Sequence, residues 1–82
     1  MKSDIVKPED TIVVTIIAAN TDVLYKWEGT GMHSLEQAAD TALAEGGLAG
    51  SDKVDVIDAY NVSRDINHSY RLDANGHLKL IV

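Results

Sequence analysis

Cysteine is absent from this 82-residue chain, proline and tryptophan each occur once, and basic side chains number only seven. Without cysteine there can be no disulfide framework and no thiolate ligand, and the composition accords with a reducing compartment, so a cytoplasmic protein is expected. No apolar run approaches the roughly 20 residues that a membrane span requires. The N-terminal stretch Met1-Lys2-Ser3-Asp4-Ile5-Val6-Lys7-Pro8-Glu9-Asp10 holds no apolar core before a small-residue cleavage site, so a soluble protein without membrane contact is predicted. The Asn-x-Ser matches at Asn61-Val62-Ser63 and Asn67-His68-Ser69 are then coincidental.

Against the seven bases stand thirteen acids, a net charge of −6. That deficit disfavours direct nucleic-acid binding, because a phosphate backbone attracts Lys and Arg. The imbalance is local. Residues 34–65 carry seven acids with only Lys53 and Arg64 as bases, whereas residues 66–82 carry Arg71 and Lys79 against Asp73 alone. The histidines, His33, His68 and His77, lack metal-ligand spacing, and neither a metal nor another cofactor is expected. Asp73-Ala74-Asn75-Gly76 starts like a calcium loop, but its glycine is fourth rather than sixth, so it reads as a hairpin turn.

Residues 1–10 read as a flexible N-terminal tail and 11–82 as a single α+β domain. At this length folding removes only about 60–65% of the unfolded chain's surface, which makes a monomer marginal and favours self-association. Ile12–Ala18 is β-branched and apolar on both alternating faces, the pattern of a strand covered on two sides, and is the candidate central strand. After Asn20-Thr21-Asp22, Val23, Tyr25 and Trp27 alternate with Leu24, Lys26 and Glu28, a half-buried strand. A hairpin of the two would oppose Ala18 to Val23, Ile16 to Tyr25 and Val14 to Trp27.

Ser34 followed by Gln37 marks a helix N-terminus, and Gly46-Gly47 marks its end. Leu35, Ala38, Ala39, Ala42, Leu43 and Gly46 share one stripe of that helix. Three strands follow, at about 53–60, 66–72 and 77–82. A three-residue Ala74–Gly76 loop opposes Leu72 to Leu78, Tyr70 to Leu80 and His68 to Val82. A five-residue Asn61–Asp65 loop would oppose Val54 to Leu72, Val56 to Tyr70 and Asp58 to His68. The expected architecture is two-layer, one helix on a five-stranded, largely antiparallel sheet in the order β-β-α-β-β-β. An apolar last strand invites pairing at a bare edge, so it is expected inside the sheet or across a subunit boundary, with Leu78, Leu80 and Val82 in the core.

Two surfaces offer themselves to a partner. One is the acidic helical side, represented by Glu36, Asp40, Asp52 and Asp55, which would suit a basic protein, as in inhibitors that imitate the charge of DNA. The other is the sheet face turned from the helix, with Val13, Ile17, Lys26, Arg71, Lys79 and Ile81, too apolar to stay wholly bare. These features, and the want of a catalytic set, predict a non-enzymatic, homo-oligomeric protein-interaction module. A second reading is a binder of a small anionic ligand, or a minor enzyme, that uses loop 29–34. There His33 and Ser34 precede a helix N-terminus whose free amides favour anions, an Asp58–His68 pair would act as acid and base, and this reading favours a site at a subunit interface.

Overall fold

The structure is a computed structural model that describes residues 6–81. Its strands are β1 (Ile12–Ala18), β2 (Val23–Gly29), β3 (Val54–Asn61), β4 (Ile66–Leu72) and β5 (Leu78–Leu80), with one helix, α1 (Leu35–Glu45). They form an antiparallel five-stranded sheet of order β2-β1-β3-β4-β5, and α1 packs on one face of it over β1 and β3. The fold is therefore α+β and two-layered. β1, apolar on both faces, is hydrogen-bonded on both sides. β2 and β3 run parallel to each other with β1 between them, and α1 crosses over β1 to connect them.

The helix owes its ends to the residues that mark them. Ser34 is the N-cap, its Oγ accepting from the Gln37 N–H at 2.9 Å, and the Gln37 Oε1 accepts from the His33 N–H. At the other end Gly47 has φ +69°, its N–H donates to Ala44 O, and the Leu48 N–H donates to Leu43 O. That pair of bonds is a Schellman motif, which needs a residue tolerant of left-handed φ. Leu35, Ala38, Ala39, Ala42 and Leu43 are buried against Ile12, Val14, Ile16, Ile57, Ala59 and Tyr70. The small side chains let the helix lie so close that a Cβ on Gly46 would sit 2.8 Å from the Tyr25 ring.

Two registers and one strand position differ from the sequence reading. In the first hairpin Val14 faces Trp27 and Ile16 faces Tyr25, as expected, but a bulge sets Ile17, not Ala18, against Val23. In the second, the loop is Val62–Asp65, one residue shorter than expected, because Asn61 stays in β3 opposite Ile66. A one-residue slip reverses every side chain. Ile57 and Ala59 therefore enter the core, while Val56, Asp58 and Tyr60 face away from the helix. The reversal is accommodated by a second irregularity, in which Ile17 faces Val56 and Ala18 faces Val54, leaving Asp55 as the extra residue. Third, β5 is an edge strand, which removes the interior position, the first of the two expected for it. Leu72 faces Leu78 and Tyr70 faces Leu80, as expected, yet Leu80 is 48% exposed because α1 does not extend over β5. Val82, expected opposite His68, lies outside the described residues.

The expected tail, 1–10, divides in two. Residues 1–5 lie outside the described residues, whereas Val6 packs against the core and Asp10 is buried. Lys7–Asp10 is a turn closed by the Asp10 N–H donating to Lys7 O at 2.9 Å, with Pro8 in the second position that suits its fixed φ.

Candidate functional site

The strand pairings fix what the open face of the sheet displays. One row runs Glu28, Val13, Tyr60, Asn67; the next runs Lys26, Thr15, Asp58, Ser69; in the third Ile17 and Val56 are neighbours, with Arg71 beside Lys79 further across. Val13, Ile17, Val56 and Tyr60 are half-buried by their neighbours alone, so they form a broken apolar surface around a polar middle row. Asp58 lies at the centre of that row. Its Oδ1 accepts from Asn67 Nδ2 at 2.6 Å and from Ser69 Oγ at 3.1 Å. At one end Tyr60 donates its hydroxyl to Asp65 Oδ1 at 2.7 Å, which holds the phenol in its neutral form and raises its pKa, with burial acting in the same direction. At the other end Asp55 Oδ1 is 3.7 Å from Arg71 Nε.

Of the residues expected on this face, Val13, Ile17, Lys26, Arg71 and Lys79 are on it. Ile81 follows β5, exposed, with its N–H donating to Ser69 O. Val56, Asp58 and Tyr60 were missed, because the sequence β3 reads apolar at 54, 56, 57 and 59 and so fits either register.

The Asp58–His68 pair does not form. Asp58 faces Ser69, whereas His68 faces Ala59 on the helix side and meets the Tyr70 ring edge-on at a centroid distance of 6.3 Å. The four acids do not make one surface either. Glu36 and Asp40 are exposed on α1, Asp52 is exposed in the α1–β3 connection, and Asp55 turns to Arg71 of the open face. Around loop 29–34, three amides are already engaged within the chain. Gly31 N–H donates to Pro8 O, His33 N–H to Gln37 Oε1, and Gln37 N–H to Ser34 Oγ. His33 itself is exposed, and no interaction joins it to His68 among the described residues.

A polar cluster that sequence reasoning did not find joins the first described residues to the β3–β4 turn. Asp10 Oδ2 accepts from Asn61 Nδ2 at 3.0 Å, from the Lys7 N–H at 3.0 Å and from Arg64 Nε at 2.6 Å. Asn61 Oδ1 in turn accepts from the Arg64 N–H. These contacts, with the Asn61 bond foremost, pull the Asp10 pKa from 3.8 to about 2, against the opposing effect of burial. The available signal was Pro8 followed by Asp10, which is turn chemistry rather than tail chemistry.

Two grooves flank the sheet. One, of about 480 Å³, lies between Gly50–Asp52 and the β4–β5 turn at Asp73–Gly76. The Asp73 carboxylate there is engaged by the His77 and Asn75 N–H groups, which lower its pKa. The other, of about 420 Å³, is a shallow apolar depression at Ala18, Ala19 and Leu24. Among the described residues no group of three or more acidic or imidazole side chains could hold a metal ion, and no helix is long and apolar enough to cross a membrane. The fold and its surfaces define a two-layer α+β protein with one sheet face uncovered. The chain matches no protein-family model, no curated protein and no solved structure.

Proposed function

We propose that the protein is a non-enzymatic, homo-oligomeric protein-interaction module whose open sheet face is its docking surface. The observation that carries this reading is the charge balance of that face in a chain of net charge −6. On the strands Lys26, Arg71 and Lys79 stand against Glu28, Asp55 and Asp58, around Val13, Ile17, Val56 and Tyr60, with Asp65 of the β3–β4 turn at the margin beside the Tyr60 hydroxyl. The surplus of negative charge lies elsewhere, with Glu36, Asp40 and Asp52 among its carriers. A surface that must lose its water on contact is costly when its charges are unpaired, and interface centres are accordingly depleted in charge. The balanced face meets that condition better than the acidic helix does. The partner it fits is a folded protein surface with an apolar centre and charges of both signs at its rim.

Capture from native lysate with three baits tests this reading: wild type, Ile17→Asp, and the double variant Glu36→Lys/Asp40→Lys. Circular dichroism first confirms that all three fold. The reading expects a stoichiometric protein that is retained by wild type and by the helix variant and lost with Ile17→Asp. The opposite pattern, loss with the helix variant alone, transfers the docking surface to the acidic side.

A further inference from the structure

β2 is one edge of the sheet, and among the described residues nothing pairs with its outer side. It has seven residues, whereas the opposite edge, β5, has three. A long edge strand offers its free N–H and C=O groups to another chain unless something blunts it. The only charged residues on β2 are Lys26 and Glu28, which flank Trp27, are both exposed on the open face, and make no ion pair among the described residues.

That spacing selects a partner. A twofold axis perpendicular to the sheet pairs β2 with its own copy in antiparallel fashion, and directly opposed residues must share a sheet face, so the axis has to pass through a residue rather than between two. Through Lys26 it would set lysine against lysine, and through Glu28 glutamate against glutamate. Through Tyr25 it would set Lys26 against Leu24. Through Trp27 it sets Lys26 against Glu28 of the second copy, Glu28 against Lys26 of the second copy, and Tyr25 against Gly29, over which the Trp27 indole lies. The two Trp27 residues then stand opposite one another on the helix side, each half-buried, lying over its own Gly29 and donating from Nε1 to Glu45 Oε1 at 3.1 Å.

We propose that β2 is a homodimer interface: a second copy of this chain adds its own β2 in antiparallel register about Trp27, joining two five-stranded sheets into one. This names the interface for the self-association in the reading above. It does not use the apolar centre of the open face, so the two fail separately.

Sedimentation velocity across a dilution series tests it, with emission from the single tryptophan as a second readout. Wild type is expected to show a concentration-dependent monomer–dimer equilibrium. Lys26→Glu and Glu28→Lys each place like charges opposite one another twice, and each should raise the dimer Kd by about tenfold or more, while Lys26→Glu/Glu28→Lys should restore it to within about threefold. A wild type still monomeric at about 1 mM overturns the proposal, since a weaker contact has no specific character. So do single variants with the wild-type Kd, or a double variant as weak as the singles. Ile17→Asp separates the two readings. A dimer intact in that variant while partner capture is lost agrees with both. A dimer abolished by Ile17→Asp and insensitive to the charge exchange places the second copy on the open face and removes the β2 interface.

Discussion

Arg64 Nε lies 2.6 Å from Asp10 Oδ2, a contact between groups 54 residues apart that fastens the start of the domain to the β3–β4 turn. Because the folded Asp10 titrates at about 2 rather than 3.8, the unfolded state binds more protons in between, and the contribution of this carboxylate to stability is present above the ordinary value and lost as pH falls through about 2. Asp10→Asn should therefore have a lower urea midpoint than wild type at pH 7, and the difference should close as both are titrated from about pH 4 toward pH 2. A constant difference over that range would mean that the carboxylate charge is not what holds the turn.

The register of β3 is tested by adjacent residues. Ile57 is fully buried and Val56 half-buried on the open face, so Ile57→Ala should cost about 2–5 kcal/mol and Val56→Ala below about 1 kcal/mol in chemical denaturation. The reverse order would restore the five-residue loop and return Asp58 to the helix side.

Gly46 is required for a reason unconnected with its backbone angles, since its φ of −81° suits any residue. A methyl group there would strike the Tyr25 ring at its near carbons, 2.8 Å away, and the ring cannot swing aside as the end of a long chain could. Gly46→Ala should destabilise by about 1–3 kcal/mol despite the better helix propensity of alanine, and the penalty should shrink in a Tyr25→Ala background. Thermal melts of the four proteins of that cycle measure the coupling.

Tyr60 is one of three tyrosines, and its hydrogen bond to Asp65 raises its pKa above 10.0. A group whose folded pKa is raised adds stability that is complete below the ordinary value and is lost as pH rises through the folded one. Ultraviolet titration should show a late phenolate step that moves to lower pH in Asp65→Asn and disappears in Tyr60→Phe.

The helix was legible to its last residue because its signals are local: a serine cap, a glutamine three positions on, an alanine stripe, two glycines. The Leu72–Leu78 and Tyr70–Leu80 pairs were legible because only one loop length matches apolar with apolar. The β3–β4 register was not. Val54, Val56, Ile57 and Ala59 fit both parities, and what decides between them is Asn61, a buried polar residue held by Arg64 of the adjoining turn and by Asp10, 51 residues away. The inferred Asp58–His68 pair fell with that register, and the centre of the open face, Asp58 with Asn67 and Ser69, appeared in its place. The exposure of Leu80 depends on how far α1 reaches across the sheet, which no pattern within β5 encodes.

The pairing of β1 with β3 also governs how the chain finds this fold. The β1–β2 hairpin and the β3–β4–β5 meander each bring together residues near in sequence, whereas Ile12 and Asn61 are paired across the whole of β2, α1 and most of β3. Closing a long loop must be paid in entropy before the contacts it makes return anything, so assembly of the two halves across β1–β3 is the slow event. The helix, whose stripe rests on both β1 and β3, gains its burial at that same moment, and the Asp10–Arg64 contact can form only once it has passed. The seam between β1 and β3 is therefore where folding commits.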